Sequence, residues 1–194
     1  MWKNLFSLRK RDNYVALVSG KTVTLRTLTP QDAQEVTALV TRNKYYWSQH
    51  EPLHNEQYYL YDTQYRKIVE SMHLMRANRE FTFGIFENNS ERLIGQISLF
   101  SIKRMPYSSG FVGYSIDEAY AGKGYASEAL QLVKKFAFQT VKLHRLEAYV
   151  SPKNTGSIRV LEKARFVREG LLRKLLFING VWEDHYLYSY LQED

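Results

Sequence analysis

The chain has 194 residues, no cysteine, 44% hydrophobic and 24% charged residues, and a formal net charge of +7. That length predicts one domain, and the balance of apolar and charged residues is that of a folded protein rather than a disordered one. Disulfides, thiolate metal sites and a cysteine nucleophile are excluded, and no stretch reaches the roughly 18 uncharged apolar residues that span a bilayer. The opening MWKNLFSLRKRDNYVALVSG has no sustained apolar core and no small-residue cleavage site, so no secretory signal is read and a cytoplasmic location is expected. The basic excess suggests an anionic partner (a nucleotide, a nucleic acid or a phosphorylated cofactor), with solubility as the plainer use of surface lysines. Arg9, Lys10 and Arg11 come nearest to a charge run, and no block of five like charges occurs.

Residues 1–20 are read as an N-terminal extension. KTVTLRTL (21–28) alternates and is rich in β-branched residues, as a strand is. TPQDAQEVTALVTRN follows as a helix, with Thr29 as N-cap, Pro30 in the first turn, and Asp32 and Glu35 favouring the positive end of the dipole. The aromatic stretch 45–65 is irregular and leads into a helix through YRKIVESMHLMRAN. EFTFGIFEN and ERLIGQISLFSI flank NNS as a hairpin, and SSGFVGYSID is the next strand. A helix over YASEALQLVKKFAFQTV carries Ala126, Ala129, Leu130, Val133, Phe136 and Ala137 on one stripe. A strand HRLEAYVS, a helix NTGSIRVLEKA and two strands joined at Asn179-Gly180, a two-residue hairpin signal, complete the chain. The order β-α-α-β-β-β-α-β-α-β-β predicts an α/β (α+β) domain around a mixed sheet of about seven strands, with a right-handed crossover over 110–151.

The strand SSGFVGYSID and the helix after it are joined by a loop containing Gly122, Lys123 and Gly124. The P-loop pattern fails because Tyr125 and Ala126 follow Gly124, and the dinucleotide fingerprint fails because Ser127 stands at its third glycine. What remains is a strand, a loop of small residues and a helix start near Lys123 or Gly124. Unpartnered N–H groups and a positive dipole end there suit a pyrophosphate, with Lys123 adding charge; an ordinary glycine turn is the alternative.

The segment GYSIDEAYAGKGYASEALQLVKKFAF resembles motif A of the GCN5-related N-acetyltransferase (GNAT) superfamily, the [QR]-x-x-G-x-[GA] loop that binds the pyrophosphate of acetyl-coenzyme A. Ala121 stands where that loop has Gln or Arg. VSPKNTGSIRVLEKARFVREG resembles the N-x-x-S and EK-x-GF-x-x-EG signature of the ribosomal-protein N-terminal (alanine/serine) acetyltransferase subgroup, with Arg165 in place of a glycine. INGVWEDHYLYSYL resembles its closing hairpin. The resemblance covers about residues 21–192.

It implies a GNAT fold and acetyl transfer from acetyl-coenzyme A to an amine by direct attack. The implied acceptor is the N-terminal α-amine of a protein such as a ribosomal protein. A small amine (polyamine, amino acid or antibiotic) and a non-catalytic coenzyme A-binding module are the alternatives, and a basic RNA-binding protein has charge alone behind it. Cofactor contacts are implied for Gly113, Tyr114, Ser115 and Ile116 on a strand that splays from its neighbour. Others are implied for Gly122, Lys123, Gly124, Tyr125, Ala126 and Ser127, and for Asn154 and Ser157.

Ser157 is also the catalytic residue that the resemblance implies, since it lies where the subgroup places a serine acting on the leaving thiolate; Leu161 occupies the place of the tyrosine used by many relatives. Asn154 is expected to cap its helix as well. The attacking amine must be neutral, which an α-amine (pKa about 8) reaches more easily than lysine (about 10.4). The base is open: Leu176 stands at one subgroup glutamate position, and Glu118, Glu147, His50, His54 and His185 are candidates. The aromatic segment 45–65 falls where this family builds its acceptor wall. Ribosome association, no membrane or metal, and a monomer or homodimer complete the expectations.

Overall fold

The computed structural model describes residues 16–194; Arg9, Lys10, Arg11 and most of the 1–20 extension lie outside the described residues. Eight strands form one sheet in the order β1-β2-β3-β4-β5-β6-β8-β7. They are β1 (Leu17–Ser19), β2 (Val23–Thr27), β3 (Phe81–Glu87), β4 (Leu93–Lys103), β5 (Ser109–Ile116), β6 (Arg145–Val150), β7 (Val167–Ile178) and β8 (Val181–Leu191). The strand beyond the expected seven is β1, which pairs with β2 from Leu17↔Arg26 to Ser19↔Thr24. Three residues are too few for their alternation to register as a pattern.

The helices are α1 (Ala33–Arg42), α2 (Lys44–Trp47), α3 (Tyr61–Arg76), α4 (Tyr125–Phe136) and α5 (Thr155–Lys163). Thr29 and Asp32 fix the entry to α1: the Thr29 N–H donates to Asp32 Oδ2 at 2.7 Å, and Arg26 grips the same carboxylate with two bonds of 2.8 Å. The stretch read as irregular contains α2 and a 3-10 turn, Glu56–Tyr59. Neighbouring residues of β4 point to opposite faces, so Leu93 packs with α1 and α3 while Ile94 packs with α4. On α4 the buried apolar residues are Ala129, Leu130, Leu132, Val133 and Phe136, and Ala137 continues the stripe in the π-helical turn Ala137–Val141. Among the described residues no helix is long and apolar enough to cross a membrane.

α5 closes with Arg165 N–H on Glu162 C=O (2.9 Å) and Phe166 N–H on Leu161 C=O (3.0 Å), the paired bonds of a Schellman cap. Arg165 accordingly takes φ 65°, a left-handed conformation that explains why a glycine suits the position.

All strand pairs are antiparallel except β5 with β6, which run parallel on either side of α4. Their pairing covers only Ser109↔Arg145, Gly110↔Leu146 and Phe111↔Glu147. Beyond it, β5 stays with β4 to Ile116↔Gly95 and β6 stays with β8 to Val150↔Tyr186, so the two strands part. The wedge between them opens toward the start of α4. Just past β5, buried Asp117 accepts from Arg42 Nε (2.6 Å) and from the Ala119 N–H (3.2 Å), which ties the following glycine loop to α1.

Candidate active site

The wedge is a cleft of about 410 Å³, floored by β5 and walled by α4, α5 and the loop after α2. Of the residues implied by sequence, Tyr114, Ser115, Ile116, Gly122, Gly124, Tyr125, Ala126, Ser127, Asn154 and Ser157 all line it. Gly113 and Lys123 do not. A side chain on Gly113 would meet the Phe100 ring (3.3 Å), and Lys123 Nζ turns back onto the Ala119 carbonyl (2.8 Å) beside the Tyr120 ring.

Gly122 and Gly124 take φ 75° and 90°, and a Cβ at either would project into open space. Gly124 is therefore the residue before α4 and not its first turn, which moves the helix start to Tyr125. The first helical bond runs from the Glu128 N–H to the Gly124 C=O (3.1 Å). The N–H groups of Tyr125, Ala126 and Ser127 are thus left without a helical acceptor at the positive end of the dipole. Glu128 anchors this turn from behind, accepting from the Thr22 N–H with both oxygens (3.1 Å each).

On the opposite wall the Asn154 side chain caps α5, accepting from the Ser157 N–H at 2.9 Å. The Tyr114 hydroxyl reaches across to the Ser157 carbonyl (3.3 Å), and burial raises the Tyr114 pKa, so the phenol stays protonated. Leu161 is 1% exposed in the core and takes no part in the cleft.

Several lining residues were not singled out by sequence. Arg159, Val160 and Lys163 follow Gly156 at helical spacing on one face of α5, a pattern visible only once the helix is known to border a cleft. Tyr46, Trp47 and Glu51 come from the aromatic segment, beside His50, which the sequence offered as a base. Trp47 Nε1 donates to the Ile116 carbonyl at 2.8 Å, on the part of β5 that β6 has left. Glu51 accepts from Ser115 Oγ at 2.5 Å, and burial raises its pKa.

Of the five acid–base residues offered by sequence, His50 alone lines the cleft. Its Nδ1 is buried with no hydrogen-bond partner among the described residues, and burial lowers its pKa. His54 stacks on Tyr58 (3.7 Å), Glu147 is held by Arg145 (2.5 Å), buried His185 lies 3.2 Å from the Glu183 carbonyl, and Glu118 is exposed. Another concavity, about 510 Å³, follows the outer side of α3 past Tyr65, Val69 and His73.

Residues 22–167 match the family model described as "Acetyltransferase (GNAT) domain", so the chain belongs to the GNAT acetyltransferase family. It is 43% identical over 178 residues to the "Probable N-acetyltransferase YjcK" of Bacillus subtilis (strain 168), covering 92% of this chain and 98% of that protein. It is 26% identical over 183 residues to the ribosomal protein uS5-alanine N-acetyltransferase of Escherichia coli (strain K12), covering 94% of each. The crystal structure of a ribosomal-protein-S5-alanine acetyltransferase from Vibrio fischeri has a TM-score of 0.87 and 31% identity over 92% of this chain and 97% of that one. Mycobacterium smegmatis RimJ, solved in complex with CoA-disulfide, has a TM-score of 0.84 and 27% identity, over 88% and 82%. The protein is an N-acetyltransferase with acetyl-coenzyme A as cosubstrate.

The loop bearing His50 and Glu51 is clamped from the far end of the sheet. At the β7–β8 turn, Asn179 Nδ2 donates to the Ser48 carbonyl (2.6 Å) and Oδ1 accepts from the Leu53 N–H (3.2 Å). Asn179 also takes φ 49°, which glycine can adopt. Asn179→Gly is therefore expected to keep the turn and free the loop. Hydrogen exchange at the Leu53 amide should speed up at least tenfold, about 1.4 kcal/mol of local stability. Unchanged exchange at Leu53 would show that the loop is held by other contacts.

Proposed function

We propose that the acceptor is the N-terminal α-amine of a protein of the ribosomal kind, and that the cofactor contacts come from the residues gathered in the cleft. The observation that carries the acceptor class is the near full-length match to the E. coli uS5-alanine enzyme, joined by the V. fischeri structure at 31% identity. Both matches extend past the glycine loop, through α5 and into the closing hairpin that clamps the acceptor-side loop. Acetylation of ribosomal proteins would place the enzyme in the cytoplasm, and the net charge of +7 suits association with an anionic ribosome.

The cleft fits coenzyme A on its own features. Backbone with left-handed glycines and no side chain in the way, next to three N–H groups without helical acceptors, suits a pyrophosphate. Arg159 and Lys163, four residues apart on the facing helix, add positive charge for further phosphate. The edge of β5 from Tyr114 to Ile116, released by β6, offers N–H and C=O groups to a pantetheine arm and an N–H for the thioester oxygen as negative charge grows on it. When bound, acetyl-coenzyme A supplies the acetyl group as an activated thioester.

The chain's part in the transfer is then to hold, orient and move protons. Ser157, at the cleft wall with its N–H already used by the Asn154 cap, has its hydroxyl for the coenzyme sulfur as C–S cleavage leaves negative charge there. Asn154 Oδ1 is committed to the cap, which leaves its amide N–H groups for the pantetheine.

Two outcomes are expected. In a thiol-release assay near neutral pH, peptides with a free α-amine should react faster than Nα-blocked lysine peptides or polyamines; a polyamine or blocked peptide reacting faster would overturn the acceptor assignment. Ser157→Ala should lower kcat roughly ten- to a hundredfold, the scale of one charge-assisted hydrogen bond of about 1.5–3 kcal/mol, with acetyl-coenzyme A affinity nearly unchanged. Asn154→Ala should instead weaken acetyl-coenzyme A binding and cost about 1 kcal/mol of stability. Wild-type turnover in Ser157→Ala would reduce the serine to packing.

A further inference from the structure

We propose that Glu51 receives the acceptor amine: its carboxylate binds the incoming ammonium and takes the proton that must leave before the nitrogen can attack. The inference rests on acetyl transfer to an amine in this cleft and not on which amine is preferred.

Among the described residues, Glu51 is the one carboxylate that lines the cleft. It sits beside Ser115, in the stretch of β5 that β6 has left, where the released strand edge faces the acceptor-side loop. Other carboxylates near the site are committed elsewhere: Asp117 to Arg42, Glu128 to Thr22, and Glu183 to Lys153. Glu51 has no ion pair among the described residues, and Ser115 is the only side chain there that donates to it. One oxygen is thereby oriented and the other takes no hydrogen bond from the described residues. The carboxylate is fixed from three directions. Trp47, one helical turn earlier, is pinned to Ile116 and accepts the Glu51 N–H on its carbonyl (3.0 Å), Ser115 holds Oε1, and Asn179 grips Ser48 and Leu53 on either side.

The chemistry suits the place. An α-amine with pKa about 8 arrives mostly as an ammonium at neutral pH. One N–H bond breaks, its electron pair stays on nitrogen as the nucleophile, and the proton goes to a Glu51 oxygen. After turnover that proton leaves to water through the cleft mouth. Burial makes Glu51 a stronger base than an exposed carboxylate, while the Ser115 hydrogen bond keeps the ionised form accessible.

Other titratable groups surround it. Lys67 on α3 and Lys44 on α2 lie near it; burial lowers the Lys67 pKa, and the Lys67 charge favours the Glu51 carboxylate. Tyr58 is pushed up to about 12 by burial, and Tyr59 and Tyr114 are also raised by burial, so all three remain neutral phenols. His50 and His54, on Glu51's own loop, are lowered by burial and are neutral at and above neutral pH. His50 is therefore the competing base and the necessary control.

The test measures kcat/KM against pH with a peptide bearing a free N-terminal alanine, or with spermidine if that reacts faster. Glu51→Gln should lower kcat/KM at neutral pH about a hundredfold or more, the scale of a lost general base, and replace the wild-type acid limb by one at the amine's own pKa of about 8. Its acetyl-coenzyme A affinity by calorimetry should stay within about threefold of wild type. Ser115→Ala should move the acid limb to higher pH, since it removes a hydrogen bond to the ionised form. His50→Gln should keep the limb. Independently of any acceptor, carbon-13 NMR of the enzyme alone should show one glutamate carboxyl titrating above the ordinary value of about 4.3, and Glu51→Gln should remove that signal. An acid limb unchanged in Glu51→Gln, a limb that follows His50, or no such elevated carboxyl would overturn the proposal.

Discussion

The parallel pairing of β5 and β6 stops after Phe111↔Glu147, and the site depends on that stop. Each strand keeps its outer neighbour, so the sheet is not broken, but the facing edges from Val112 onward have no ladder partner in each other. Backbone polar groups in a partly buried edge need partners, and the described residues supply only some of them. Trp47 takes the Ile116 carbonyl, while the Tyr114 and Ser115 side chains tie the strand to α5 and to Glu51. The remaining edge is what an extended, amide-bearing ligand arm can occupy. A sheet that zipped fully at this point would have no cleft.

The elements around the wedge hold it open at fixed width. α4 begins at its mouth because Gly124 adopts φ 90° and Asp117, bound to Arg42, fixes the chain before it. Glu128 ties the first turn of α4 to the β1–β2 connection, so the unpartnered N–H groups point from a rigid base. The α5 wall is braced by buried Lys134, whose Nζ donates to the Ala164 carbonyl at 2.9 Å and lies 3.8 Å from the centroid of the Tyr190 ring. Across the cleft the loop 48–53 has little regular structure of its own and takes its position from Trp47 and Asn179. The two walls of the cleft are thus built by different parts of the chain and meet at Ser115.

Much of this was legible in the sequence because it is local. Alternation and helical stripes place seven of the eight strands and the long helices; Gly122 and Gly124 stand out by their place before a helix, and Asn154 and Ser157 gain their roles from the resemblance. β1 escaped because three residues carry no period, and the start of α4 was read one or two residues early because the left-handed turn at Gly124 is a backbone property. Glu51 was invisible for a different reason. Its contact with Ser115 joins residues 64 apart in sequence, and nothing in SQHEPL distinguishes it from an exposed glutamate. Arg159 and Lys163 likewise read as a solvated helix face until the facing glycine loop is in place. Sequence periodicity reports what a residue packs on; it does not report which partner the fold brings across a gap.

The account turns on acetyl-coenzyme A lying in the wedge, with its pyrophosphate against the start of α4 and its arm along β5. Nitrogen-15 chemical-shift mapping during titration with acetyl-coenzyme A tests this most directly. The largest amide shifts should fall on Tyr114–Ile116 and Gly122–Ser127, with smaller ones along the facing side of α5. Shifts concentrated instead on the outer groove of α3, at Tyr65, Val69 and His73, with the glycine loop unmoved, would contradict it.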